Sequence, residues 1–118
     1  MKFSENVIEQ KSFEFALNII KAYQQMLKQK EFILSKQLLR SGTSIGANVQ
    51  EAQAAISKRD FTAKMSISSK EARETRYWLL LIKYSDLVDL KTEGLLDEVD
   101  QIINILTSIV KSSQRNLK

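Results

Sequence analysis

The chain has no proline, no cysteine and no histidine among its 118 residues, and only three glycines, at positions 42, 46 and 94. Without cysteine there can be no disulfide, no thiolate nucleophile and no cysteine-ligated zinc, which suits a reducing compartment. Without histidine, the usual acid-base group near neutral pH is missing, and so is the Glu-x-x-His motif of di-metal helical bundles. Any catalytic site would rest on Asp, Glu, Lys, Ser, Thr or Tyr, and the carboxylates show no convergent spacing. Glu71 and Glu74 are three apart but stand beside Lys70 and Arg73, the pattern of a solvated, internally paired face. No long apolar run exists either. The longest, Tyr77 to Ile82, is far short of a membrane span, and the opening Met1 to Asn6 has no apolar signal region. These absences predict a cytoplasmic, non-enzymatic protein with no membrane partner, cofactor, metal or small-molecule substrate.

What is present fits a single globular domain over residues 1–118: 43% hydrophobic and 27% charged residues. With so little proline and glycine to break it, the backbone favours long helices. Four segments carry helical periodicity. The first runs from about Asn6 to Lys28, with Phe13, Ala16, Leu17, Ile20, Tyr23 and Leu27 on one face and Asn6 and Glu9 as a capping box. Gln29-Lys30-Glu31 forms the first turn.

The second segment runs from about Phe32 to Ile56, with Leu34, Leu38, Ser41, Ile45, Val49, Ala52 and Ile56 in phase. Its centre, Ser41-Gly42-Thr43-Ser44-Ile45-Gly46-Ala47-Asn48, is small and polar. A glycine costs about 1 kcal/mol relative to alanine inside a helix, so two of them four residues apart predict the close approach of another helix. A phosphate-cradling loop is the competing reading, but no Gly-Lys-Ser/Thr ending and no preceding strand supports it. Ser41, Gly42, Ser44, Ile45, Gly46, Ala47 and Asn48 are therefore assigned to helix packing and subunit contact.

The third segment, about Lys58 to Tyr84, starts at the capping pattern Ser57 to Asp60. Small residues fill its first half. The second half, Tyr77 to Ile82, is apolar around the whole helix, more than the neighbours within a small bundle usually cover. Tyr77, Trp78 and Leu80 are accordingly assigned to contact with a second subunit. After a turn near Asp86 to Lys91, with Thr92 as a candidate cap, a fourth helix carries Leu95, Leu96, Val99, Ile102, Ile103, Leu106, Ile109 and Val110 in regular three-and-four rhythm.

Net charge is +4, unevenly spread. From Lys28 to Lys83 eleven bases stand against five acids, a local +6; from Asp86 to Asp100 six acids stand against one lysine. The acids at the start of the last helix, and the bases at its end, follow the helix dipole. Lys58 and Arg59, at a helix start where the dipole disfavours cations, are not explained that way. Arg40, Lys58, Arg59, Lys64, Lys70, Arg73, Arg76 and Lys83 form the candidate nucleic-acid-binding set, with RNA as the candidate partner. Two readings stay open: a polyanion-binding surface, or a charge-laced face with pairs such as Asp60 with Lys64 and Lys70 with Glu74.

The run Gln37-Leu38-Leu39-Arg40-Ser41-Gly42-Thr43-Ser44-Ile45-Gly46-Ala47-Asn48-Val49-Gln50-Glu51-Ala52 resembles the signature of the bacterial four helix bundle proteins found as reading frames within intervening sequences of large-subunit ribosomal RNA genes. That signature is close to Gln-Leu-x-Arg-Ala/Ser-x-x-Ser-Ile-x-Ala-Asn-Ile-x-Glu-Gly. Gly46 stands where the family often has proline, and Ala52 where it usually has glycine. Lys58-Arg59-Asp60-Phe61 and Glu71-Ala72-Arg73-Glu74-Thr75 fit as well. The resemblance implies an all-α, up-and-down antiparallel four-helix bundle that assembles into a cyclic homo-oligomer, a pentamer. A related branch, the accessory variability determinant proteins of retroelements, implies a basic ring working with a reverse transcriptase and its RNA. The alternative function is a structural or protein-interaction scaffold without a nucleic-acid role.

Overall fold

The computed structural model describes residues 6–117; the leader reading and the tail charge of Lys118 fall partly or wholly outside them. Four helices follow one another: α1 (Val7–Lys28), α2 (Leu34–Gln53), α3 (Lys58–Ser85) and α4 (Glu93–Arg115), with no strand among the described residues. Each packs on its chain neighbour, and α4 closes the ring against α1, while the diagonal pairs do not meet. Connections this short, between long helices lying side by side, make every neighbour antiparallel.

The helix ends are fixed by local chemistry. Asn6 Oδ1 accepts from the Ile8 and Glu9 amides at 3.1 and 3.4 Å, as the capping pattern predicts. At the far end of α1, Lys30 adopts a left-handed φ of 64°. This lets the amides of Glu31 and Lys30 bond back to the Met26 and Leu27 carbonyls at 3.0 and 2.9 Å. The Glu31 carboxylate then caps α2, accepting from the Ile33, Leu34 and Ser35 amides at 3.1, 3.2 and 2.7 Å. Burial opposes its charge, but these backbone donors outweigh burial and hold the carboxyl below the usual carboxylate range. Ser57 Oγ accepts from the Asp60 amide at 3.0 Å, and Asp60 Oδ2 from the Ile56 amide at 3.3 Å, so α3 is capped as expected. Thr92 sits at the cap position of α4 but makes no side-chain capping bond; its side chain is buried instead.

The core runs the length of the bundle through Phe15, Ile19, Met26, Leu38, Ile45, Val49, Met65, Leu79, Ile82, Val99, Ile102 and Leu106. On α1 the inward stripe is Ile8, Ser12, Phe15, Ile19, Ala22 and Met26. The sequence pattern points to the adjacent stripe, which the structure leaves half-buried at Phe13, Ala16, Tyr23 and Leu27 and 46% and 38% exposed at Leu17 and Ile20. What decides between the two is α2. A Cβ on Gly42 would lie 2.9 Å from both Ile19 Cγ1 and Cγ2, and one on Gly46 would lie 3.3 Å from the Ser12 carbonyl oxygen. The glycines therefore receive the Ser12 to Ile19 edge of α1, which is the close approach that their spacing predicts. Ile56, expected on the α2 stripe, lies beyond the helix end and is 95% exposed.

The rest of the small-residue centre of α2 serves α3. Ser68 Oγ donates to the Ile45 carbonyl at 2.8 Å, and the Ser41 and Thr75 hydroxyls meet at 2.9 Å in the core. Ser44 and Asn48 instead bond back within their own helix, to the carbonyls of Arg40 and Ser44 at 2.6 and 2.8 Å. Ala47 is exposed. The run Tyr77 to Ile82 is covered in part by its own chain: Leu79 and Ile82 are buried, Trp78 and Leu80 half-buried, and Leu81 exposed. Tyr77 stays 56% exposed, its ring edge-on to Trp78.

Candidate nucleic-acid interface

Helix α3 carries seven of the eight cations assigned above, so its facing directions decide what they can do. Its buried side is Thr62, Met65, Ser68, Ala72, Thr75, Leu79 and Ile82. At 100° per residue the opposite, outward line is Arg59, Ser66, Lys70, Tyr77 and Tyr84, with Arg73 and Leu81 on either side of it. Lys64 and Glu74 turn toward α2, and Lys58, Arg76 and Lys83 toward α4.

Carboxylates of neighbouring helices neutralise part of the set. Arg40 on α2 bonds the Glu74 carboxylate, lies 3.4 Å from that of Glu71, and donates to Gln37 at 3.2 Å. The bond to Glu74 raises the Arg40 pKa above its ordinary value. Lys64 pairs with Glu51 at 3.5 Å and Arg76 with Asp100 at 2.7 Å. These pairs run between helices. The two pairs within α3 that the sequence suggests, Asp60 with Lys64 and Lys70 with Glu74, are replaced by them.

The remaining cations have no carboxylate within ion-pair distance among the described residues. Arg73 donates to Thr107 Oγ1 at 3.1 Å, which leaves its charge uncompensated. Lys83 Nζ lies 5.3 Å from the Tyr84 ring centre. Lys58 lines a hollow of about 450 Å³ between α3 and α4 with Phe61, Ser108, Ile109, Ser112, Ser113 and Asn116. Arg59 and Lys70 stand exposed. Meanwhile every carboxylate of α3 is engaged: Glu71 and Glu74 by Arg40, Asp60 by backbone. The structure thus separates Arg40, Lys64 and Arg76 from the set and leaves Arg59, Lys70 and Arg73 together on one outer face. Tyr84, 75% exposed on that face, is absent from the sequence-derived set. Its seven-residue spacing from Tyr77, itself seven from Lys70, was the available signal.

A second surface feature lies between α1 and α2. Phe13, Ala16, Thr43, Gly46 and Ala47 line an apolar groove of about 300 Å³. No group of His, Cys, Asp or Glu side chains able to hold a metal ion occurs among the described residues, and no helix there is long and apolar enough to cross a membrane.

Fold and surface together define an all-α four-helix protein with an unbalanced basic helix face. The chain belongs to the 23S rRNA-intervening sequence protein family, whose model matches residues 4–108. It is similar to a protein of unknown function from the S23 ribosomal protein family of Bacteroides thetaiotaomicron VPI-5482, solved by crystallography. The two are 45% identical and superpose with a TM-score of 0.85, over 89% of this chain and 99% of that one. No curated protein matches the chain.

Proposed function

We propose that this protein is a non-enzymatic, self-associating RNA-binding protein of the cytoplasm that holds the phosphate backbone along the outer face of α3. The observation that carries the reading is the imbalance on that helix. Its three carboxylates are all engaged, while Arg59, Lys70 and Arg73 face outward with no carboxylate within ion-pair distance among the described residues. The family description, which ties these proteins to intervening sequences of 23S rRNA, supports RNA as the polyanion. Self-association is supported by the resemblance to ring-forming proteins and by apolar surface on α1 and α2. Leu17 and Ile20 lie exposed near the groove lined by Phe13, Ala16 and Ala47. On that resemblance the assembly is a ring of five copies, which would repeat the basic face around its circumference and raise avidity.

Titration of labelled RNA at several salt concentrations tests this. Phosphate contacts release condensed counterions, so log affinity should fall with log salt by about 0.7 per phosphate neutralised on a single strand. Replacing Arg59, Lys70 and Arg73 together by glutamine should weaken binding to all sequences alike, since phosphate contacts position without specifying. Arg40→Gln and Arg76→Gln, which remove ion-paired cations, should matter less. The scaffold reading is favoured by one observation, the neutralisation of Arg40, Lys64 and Arg76 by neighbouring helices. It takes over if wild-type protein binds no RNA at low salt.

A further inference from the structure

The outer line of α3 combines charge with aromatic rings that lie mostly outside the core, Tyr77 edge-on to Trp78 and Tyr84 under the Lys83 ammonium. Tyr77 and Tyr84 are 56% and 75% exposed. They lie two helical turns apart, about 10.5 Å along the axis at 1.5 Å per residue, and so point the same way. Neither hydroxyl has a hydrogen-bond partner among the described residues, and neither ring fills the core. Cations flank them: Lys70 two turns before Tyr77 and Arg73 one turn before it on the same face, and Lys83, which rises from the α4 side and sets its ammonium over the Tyr84 ring, 5.3 Å from its centre.

We infer that this face is a stacking platform for single-stranded nucleic acid, with unpaired bases on Tyr77 and Tyr84 and the backbone held by Lys70, Arg73 and Lys83. The inference rests on the RNA-binding reading and specifies the kind of strand. An exposed ring face can take only a base whose own face is free; in an A-form duplex the base faces are already stacked inside the helix. Stacking also tolerates any base, which fits a surface with no side-chain amide or carboxylate free to read base edges along this line. The Lys83 ammonium lies over one face of the Tyr84 ring, so a base would stack on the opposite face or displace the ammonium toward the flanking phosphate. A two-fold contact through the same stripe is disfavoured by its charge, and the particle mass of the alanine variants below tests a ring contact through it. In a two-fold contact the uncompensated Arg59, Lys70 and Arg73 of one copy would meet the same cations of the other.

The test compares a labelled single-stranded oligouridylate with an RNA duplex of equal length, using the full chain in its native assembly. The single strand should bind tighter, and unlabelled duplex should compete poorly. Tyr77→Ala and Tyr84→Ala should each weaken single-strand binding about tenfold, leaving duplex affinity and the salt slope unchanged. Tyr77→Phe and Tyr84→Trp, which keep a ring, should restore it. Far-UV circular dichroism of each variant confirms the helices, which these exposed positions do not anchor. Equal affinity for duplex and single strand, or alanine variants that bind like wild type, overturns the platform while leaving backbone binding intact. An alanine variant that changes particle mass but not affinity overturns it in favour of a subunit contact. No binding of either RNA by the wild type removes the functional reading and the platform with it.

Discussion

Gly42→Ala should destabilise the bundle even though alanine is the better helix former. The substitution gains about 1 kcal/mol of helix propensity. Against that, the new methyl would sit 2.9 Å from both Ile19 Cγ1 and Cγ2 and 3.3 Å from Ile19 Cβ. Ile19 is fully buried, and its β-branched side chain is held to one χ1 rotamer in a helix, so it cannot swing aside. Relief must come from shifting α1 against α2, and overpacking of this kind costs about 1–3 kcal/mol. The net expectation is a loss of roughly 1 kcal/mol, which for a domain of this size lowers the melting temperature by about 4 °C. Gly94→Ala is the internal control. Nothing lies within 4 Å of the Cβ it would add, so it should melt at or slightly above the wild type. Thermal unfolding followed by circular dichroism reads both, at matched protein concentration because self-association would shift the midpoint. If Gly42→Ala melts with or above Gly94→Ala, the glycine is not holding the two helices close.

Two further outcomes follow from the polar contacts. Glu31→Ala should cost about 1 kcal/mol at neutral pH, the scale of a lost helix cap. Because the folded carboxyl is held below its ordinary value of about 4.3, its contribution is full above that value and fades as pH falls through the lower folded pKa. Urea titrations should show the gap between variant and wild type closing in acid; a gap independent of pH would mean charge plays no part. Thr75→Val should cost about 1–3 kcal/mol, by stranding the buried Ser41 hydroxyl. Adding Ser41→Ala should recover part of that loss, and strict additivity in the double-mutant cycle would show the two hydroxyls to be independent.

Most of the helical plan is legible in the residues, because Asn6, Ser57 and the scarcity of breakers mark where helices start and continue. α4 also shows its buried face plainly, since one stripe of it is apolar and the rest is polar. α1 does not. Phe13, Leu17 and Ile20 alternate with Phe15, Ile19 and Met26 on overlapping stripes, and only the glycines of a different helix select between them. The candidate interface is half legible for the same reason. Spacing along α3 suggests pairs within that helix, whereas the pairs formed reach Glu51, Asp100 and Arg40 on its neighbours. Which cations remain uncompensated is a tertiary property. The seven-residue spacing of Tyr84 from Tyr77 puts the two on one side of α3, but which side faces outward follows only once the inward face is known.

The order in which the helices touch also bears on how the chain folds. Three of its four seams join segments adjacent in sequence across short turns, so they can close early with little loop entropy to overcome. The seam between α1 and α4 alone joins the two ends of the chain. It is also the sparsest of the four, and polar bridges run along it: Lys11 to Gln101 at 2.9 Å and Asn18 to Glu98 at 3.0 Å. It should therefore form last and part first, so that amide hydrogens of α1 and α4 along this seam exchange with solvent sooner than those of α2 and α3, which hold each other through Ser41, Ser68 and Thr75.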